Sequence, residues 1–421
     1  MKRHLIGIGG VGMSALATAL VKLGDEVTGA DRTLGTPNIK FLESLGVKVY
    51  PDDGSGVDAS TDEVIVSTAI EETNAGLKKA KALGIAVTHR AKALARTLGG
   101  YKLVAVVGTC GKSTVTAMLG HVLAECGLDP MCVNGANVPG WEGAVRFGKG
   151  AYAVAEVDES DKSLVAFKPY AAIVTNASAD HYSKEEMDEV FDAFVKDCEG
   201  PVVDGRNVCP QISRIDTDER EAWVTPLPGK HNLQNATLAA KMALALGCKA
   251  VDIKRALATF RGVERRLQLI SSTPTPSTYT STAPAVYDDY AHNPEKLKAM
   301  WTTLAEKHPE GICVIWRPHG YTPLRKMMDA LAAMFAETVR PQDKLLLLPV
   351  YDAGGTTDRS VNSDELKAKV EGEAEQRIEL VSDLDAAYDW CAAHRGDFAA
   401  FVTCGARDPG LPGLARRLAA L

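Results

Sequence analysis

Apolar positions in this chain come in short β-branched runs, alternating with stretches where they recur every three or four residues. The clearest case is 103–119, LVAVVGTCGKSTVTAML. Residues 104–107 read as a buried parallel strand, and the glycines at 108 and 111 cannot continue it. From Lys112 a helix resumes, with Val115, Met118, Leu119, Val122 and Leu123 at helical spacing. Upstream, the pattern predicts strands at 4–8, 26–30, 48–50, 63–67 and 86–88, and helices at 15–23, 75–83 and 91–98. Downstream it predicts strands at 152–157 and 171–175 and an alanine-rich helix over 236–246. Residues 271–284, rich in Ser, Thr and Pro, read as a connector. Beyond it, strands at 285–289, 311–316, 344–350, 377–381 and 398–403 alternate with helices at 294–306, 324–335, 363–370 and 384–394. This alternation predicts an α/β chain of parallel sheets. Gly99-Gly100 and the connector divide it into three expected domains, 1–99, 100–270 and 271–421.

The break at 108–114 carries the first candidate chemistry. Gly108, Thr109, Cys110, Gly111, Lys112, Ser113 and Thr114 match the G-x-x-G-K-S/T form of a phosphate-binding loop, with Val106 where the longer pattern has glycine. Glycines let backbone N–H groups close on phosphate oxygens, Lys112 supplies a positive charge, and the Ser113 hydroxyl can ligate Mg²⁺. A bare glycine turn with a surface lysine is the alternative, but the setting between a strand and a helix is what the phosphate mechanism needs.

A second glycine loop, Gly7-Ile8-Gly9-Gly10-Val11-Gly12-Met13-Ser14, follows the first predicted strand, and Asp31 ends the next one. That is the dinucleotide-type arrangement, with pyrophosphate at a helix N-terminus and a carboxylate near a sugar hydroxyl. Ser67 and Thr68 stand at another strand end, where open α/β sheets bind ligands. The strand at 152–157 runs into Glu156-Val157-Asp158-Glu159-Ser160-Asp161, suited to Mg²⁺ on a nucleotide. Asn232 and Asn235 present two amides on one helical turn, able to read a purine edge or to cap the helix. Arg265 and Arg266 form a cationic pair suited to phosphate oxygens. In the last segment the strand ends 288–292 and 317–320 are expected at a cleft.

Composition narrows the classes. A net charge of −7 leaves no basic surplus for a nucleic-acid backbone. Nine scattered cysteines without a C-x-x-C suit a reducing compartment. No run reaches the ~18 apolar residues that span a bilayer. The expectation is a cytoplasmic protein, monomer or homodimer, acting on small molecules.

Taken in order, GIGGVGMS, GTCGKST, EVDESD, TNASADH, GKHNLQN, GVERR and DDYAHNP resemble the Mur ligases across nearly the whole chain. The resemblance implies a Rossmann-like N-terminal domain, a central P-loop ATPase-type sheet and a Rossmann-like C-terminal domain. It implies an ATP-dependent amide ligase of peptidoglycan precursor synthesis that joins L-alanine, or a related amino acid, to UDP-N-acetylmuramate through an acyl phosphate. A recycled tripeptide as the amine, or another amino acid or acceptor, is the alternative within the family. An NAD-binding module is the alternative outside it.

By position, the resemblance implies that Lys112 holds the β- and γ-phosphates, and that Ser113 and Glu156 ligate one Mg²⁺ and His181 a second. Asn232 and Asn235 would contact the adenine side, Arg266 the γ-phosphate, and Asp289 the nucleotide. Gly9, Gly10, Gly12, Met13, Ser14 and Asp31 match the UDP-sugar pattern, with Ser67 and Thr68 beside them. His292 and His319 would face the amino acid. Departures from the family are Cys110 for histidine, Ser113 for threonine, Asn293 for a second histidine, and Gly320 and Pro323 for arginines. A short span between His181 and His231 implies a trimmed central domain.

Overall fold

The computed structural model describes residues 1–158, 163–177, 184–206, 223–270, 283–352, 354 and 357–421. The chain divides into two compact units, Met1–Pro226 with His231–Val263, and Leu227–Lys230 with Glu264–Leu421.

The first unit opens with β1 (Lys2–Ile6), α1 (Val11–Lys22), β2 (Glu26–Asp31), α2 (Pro37–Ser44) and β3 (Lys48–Pro51). It continues with β4 (Glu63–Val66), α3 (Ala75–Ala82), β5 (Ala86–His89) and α4 (Arg90–Thr97). These strands pair in parallel in the order β3-β2-β1-β4-β5. The order reverses direction between β1 and β4, so the loops after those two strands flank the switch point, where such sheets bind ligands. Every residue of α1 from Met13 to Leu20 is buried, because the helix packs on this sheet and also meets strands of the next.

A second sheet of the same unit follows with β6 (Lys102–Val107), α5 (Lys112–Glu125), β7 (Met131–Val133), β8 (Val145–Arg146) and β9 (Tyr152–Glu156). β10 (Ala171–Val174), α6 (Lys184–Val195), β11 (Val202–Asp204), α7 (Lys230–Ala245) and α8 (Ala250–Thr259) complete it. Its order among the described residues is β11-β10-β6-β9-β7-β8, parallel except for β8. β6 lies between β9 and β10, so the loop after β6 is flanked by both strand ends. Leu94 and Leu98 share one apolar cluster with Leu103 and Phe167, which joins the two sheets.

The second unit holds β12 (Gln268–Leu269), β13 (Ala285–Asp289), α9 (Pro294–Lys307), β14 (Ile312–Trp316), α10 (Tyr321–Thr338) and β15 (Lys344–Leu347). It ends with α11 (Ser363–Ala368), β16 (Ile378–Leu380), α12 (Leu384–Ala393), β17 (Ala400–Cys404) and α13 (Leu411–Leu418). The order is β12-β13-β17-β14-β15-β16, with only β12 antiparallel. Trp301, Trp316 and Phe335 pack in one core layer, and Phe401, Cys391 and Leu414 in another.

The α/β architecture with parallel-dominated sheets is the one expected. The strand predicted over 344–350 stops at Leu347, just ahead of Pro349, which has no N–H for the ladder. The short strands β7, β8 and β11 were not expected, since two or three residues show no period. Among the described residues no helix is long and apolar enough to cross a membrane.

Candidate active site

The loop after β6 is shaped by side chains from the end of β10. Gly108 (φ 126) and Gly111 (φ 83) adopt conformations that disfavour any other residue. A Cβ on Gly108 would collide with Thr175 Oγ1, and one on Gly111 would stand 2.7 Å from Asn235 Oδ1. Asn176 Oδ1 accepts from Cys110 N at 2.9 Å and from the Thr109 hydroxyl at 2.7 Å. Its Nδ2 donates to the Cys110 carbonyl at 3.0 Å, which also accepts the Thr175 hydroxyl at 2.6 Å. The Lys112 ammonium donates to the Gly108 carbonyl at 2.6 Å, and so reaches back over the loop. Ser113 and Thr114 are buried in the first turn of α5.

Glu156 ends β9 opposite Val106, two residues before the loop, and its Oε2 accepts Gly135 N at 2.8 Å. Asn232 and Asn235 are both buried on α7, with Asn235 Nδ2 donating to Asn232 Oδ1 at 3.3 Å. Asn235 thus packs directly on the loop after β6. His181 lies outside the described residues, as do Glu159, Ser160 and Asp161.

At the switch point of the first sheet, Gly9 N donates to Asp31 Oδ2 at 2.8 Å, and Asp31 Oδ1 accepts Thr33 N at 3.0 Å. Asp31 therefore ties the glycine loop to the end of β2. Asn38 Nδ2 donates to the Gly9 carbonyl at 2.9 Å. Gly10 is the N-cap of α1, and Met13 and Ser14 are buried in its first turn. The turn that begins at Ser67, with Ile70 N donating to its carbonyl at 3.1 Å, sets Ile70 against Gly7, and Thr68 is exposed beside it. Arg90, the first residue of α4, lies over Gly12: a Cβ there would stand 3.0 Å from Arg90 Nη1.

In the second unit, the segment leading into β12 carries two non-glycine residues at positive φ, Arg265 (59°) and Leu267 (46°). Strain of this kind persists only where neighbours enforce it. Arg265 Nε donates to Asp288 Oδ2 at 3.1 Å, and Leu267 N to Asp289 Oδ2 at 2.6 Å. Asp289 Oδ1 accepts Ala291 N at 2.7 Å, so both oxygens of this buried carboxylate hold backbone. Burial pushes the Asp288 carboxyl up to about 6 against the pull of Arg265. It also raises Asp289, against the Leu267 N–H and Arg266. Arg266, between the two strained residues, stacks its guanidinium 5.2 Å from the Tyr290 ring centre. His292 and His319 meet edge to face at 4.8 Å. Burial lowers both imidazoles to about 4, assisted by Lys296 at His292 and by Arg407 at His319. Asn293, at the departure from the family pattern, caps α9 by accepting Lys296 N at 2.9 Å.

Sequence reasoning assigned no role to Thr175, Asn176, Asn38 or Arg90. Asn176 sat inside a quoted motif, but only the strand pairing of β6 with β10 reveals what it holds. Arg90 had no local signal, because its partner lies 78 positions earlier, at Gly12.

Residues 2–102 match the Mur ligase family, catalytic domain, and residues 265–407 match the Mur ligase, glutamate ligase domain. A UDP-N-acetylmuramate–L-alanine ligase of Rhizobium etli is 30% identical over 453 residues, with 96% of this chain and 93% of the relative covered. One of Rubrobacter xylanophilus is 33% identical over 400 residues, covering 84% and 85%. Among solved structures, a UDP-N-acetylmuramate–alanine ligase from Thermotoga maritima superposes with a TM-score of 0.80 at 25% identity, covering 100% of this chain and 98% of that one. A murein peptide ligase from Psychrobacter arcticus shares the fold, with a TM-score of 0.67, 20% identity, and 100% and 98% covered.

Proposed function

The chain belongs to the Mur ligase family, and from that premise we propose that it joins L-alanine to the carboxylate of UDP-N-acetylmuramate at the expense of ATP. The observation that carries this reading is the loop after β6. It is a glycine-shaped turn with Lys112 folded over it and a carboxylate at the adjoining strand end, in a chain whose N-terminal sheet has its own glycine loop at a switch point.

A carboxylate is a poor electrophile, so its oxygen first attacks the γ-phosphorus of ATP, releasing ADP and leaving an acyl phosphate. The neutral amine then attacks the acyl carbon, phosphate leaves, and the nitrogen gives up a proton. Lys112 neutralises charge on the transferring phosphoryl group, and the loop N–H groups orient the phosphates. Arg266 supplies a second cation at the γ-phosphate. Asp289 takes the nucleotide side, and by accepting Leu267 N it fixes the backbone next to Arg266. Asn232 and Asn235 take the adenine side. Gly9, Gly10, Gly12, Met13 and Ser14 take the UDP-sugar with Asp31, Ser67 and Thr68.

The donors suit Mg²⁺. Ser113 and Glu156 are hard oxygen ligands. They suit an ion shared with substrate phosphates and held by Ser113 and Glu156, with His181 at a second one. When bound it would offset phosphate charge.

We also propose three domains, 1–99, 100–270 and 271–421, and a cytoplasmic monomer or homodimer. The eight described cysteines are all free thiols, as a reducing compartment keeps them.

The test supplies the purified chain with ATP, Mg²⁺ and UDP-N-acetylmuramate and measures phosphate release for each amino acid and for a muropeptide-derived tripeptide. Release that depends on L-alanine and is lost in Lys112→Ala is the expected result. Release indifferent to any amine, or intact in Lys112→Ala, overturns the proposal.

A further inference from the structure

We propose that Arg407 holds the carboxylate of the incoming amino acid, at a site made by the carboxyl ends of β13, β14 and β17. This rests on the ligase reading above and adds the group that selects the amine substrate.

β17 is last in sequence among the strands but lies between β13 and β14. The loops after the three strands therefore meet, bringing together His292, His319 and the turn 405–408. That turn is rigid. Gly405 N donates to the Asp289 carbonyl at 3.2 Å, and Arg317 N donates to the Cys404 carbonyl at 3.1 Å. Asp408 accepts Gly410 N at 2.7 Å and the Arg317 guanidinium at 2.5 Å.

Four arginines stand at this end of the sheet, and they differ in kind. Arg265 donates to Asp288 and to the Gly405 and Ala406 carbonyls, and Arg266 lies over the Tyr290 ring. Arg317 is mostly buried and neutralised by Asp408. Arg407 is exposed and has no hydrogen bond or ion pair among the described residues. Its Nη1 lies 3.7 Å from where a Cβ on Gly320 would stand.

Gly320 itself adopts φ 155 and ψ 159, a backbone that strains any L side chain. A long cation cannot be mounted there without moving the loop, so the guanidinium arrives from the β17 turn instead. Beside it, the two imidazoles are held neutral at physiological pH by burial. These loops thus offer the fork of Arg407, unpaired among the described residues, two neutral hydrogen-bonding rings and the nearby charge of Lys296 on α9. A guanidinium of this kind pairs with a carboxylate through two parallel hydrogen bonds. A free α-amino acid carries that carboxylate one carbon from its amine. A nucleotide phosphate presents similar oxygens, and the test separates the two.

Arg407→Ala and Arg407→Lys are compared with the unaltered chain at saturating UDP-N-acetylmuramate. In Arg407→Ala the KM for L-alanine is expected to rise roughly ten- to a hundred-fold, with the KM for ATP unchanged and part of the loss recovered by Arg407→Lys. The unaltered chain should prefer L-alanine to L-alaninamide, and Arg407→Ala should lose that preference. An unchanged KM for L-alanine, or an effect confined to ATP, overturns the assignment. If the unaltered chain forms no amide with any amino acid, the ligase reading fails on that result alone. Isothermal titration of L-alanine then decides for Arg407. Heat that Arg407→Ala abolishes upholds the assignment, and no heat in the unaltered chain overturns it.

Discussion

The side-chain amide of Asn176 grips Cys110 as a neighbouring strand would, accepting its N–H at 2.9 Å and donating to its carbonyl at 3.0 Å. A glycine loop has no regular backbone partner, so its shape has to come from side chains. Asn176→Ala removes these bonds and the one from Thr109. Stability should fall by about 1–3 kcal/mol, read from urea unfolding, and the KM for ATP should rise. Asn176→Asp keeps an acceptor but sets a negative charge against the Cys110 carbonyl and near the phosphates. It should weaken ATP more than alanine does. Equal effects of the two variants on ATP would mean that charge at this position is immaterial.

Arg90 over Gly12 sets a second expectation. Gly12→Ala puts a Cβ 3.0 Å from the far end of a flexible side chain. The fold absorbs that by moving the guanidinium, so the melting temperature should barely change. The stabilisation conferred by added UDP-N-acetylmuramate should nevertheless shrink, and Arg90→Ala should shrink it further. If both variants gain as much from the ligand as the unaltered chain, Arg90 has no part in binding.

His4 contributes to the pH dependence of the first unit, where burial also lowers His121 and His231. It is buried on β1, its Nδ1 lies 2.9 Å from Thr28 Oγ1, and burial lowers its pKa to about 4. Between that value and about 6.5 the unfolded chain binds a proton that the folded chain does not. The stability tied to His4 is complete above that window and is lost as pH falls through it. His4→Asn should therefore flatten the acid side of the stability profile. The comparison has to be a difference between the two proteins. His292 and His319 add losses of the same sign, whereas Asp288, raised to about 6, gains stability as pH falls. An unaltered slope in His4→Asn would refute this account.

Gly120 lies inside α5, where alanine ordinarily improves a helix by about 1 kcal/mol. Here its Cβ would stand 2.6 Å from Cys132 Sγ and 3.1 Å from the Trp141 ring. Overpacking of that kind costs about 1–3 kcal/mol, so Gly120→Ala should destabilise. A higher unfolding midpoint would show that this contact yields easily.

Much of this protein was legible from neighbouring residues. The runs at 104–107 and 171–175, the glycine loops at 7–14 and 108–111, and the helices that follow them depend on spacing within about ten positions, which a single sequence displays directly. The strand–helix rhythm that makes the chain α/β is local in the same sense. Short strands such as Met131–Val133 were not legible, since three residues have no period and exist because β9 and β8 offer them a ladder.

What remained hidden are pairings set by strand order. Asn176 meets Cys110 because β10 lies beside β6, Asn235 reaches Gly111 from a helix more than a hundred residues on, and Arg90 covers Gly12 across a switch point. Arg407 stands beside Gly320 because the last strand inserts between two earlier ones. The sequence by itself determined the elements, the lysine-bearing loop after β6 and the glycine turns, because hydrophobic period and backbone freedom are properties of adjacent residues. Tertiary structure alone decided which side chains brace those loops and that Arg407 stands beside Gly320, unpaired among the described residues, because burying the sheets' apolar faces sets an order of strands that no local spacing encodes.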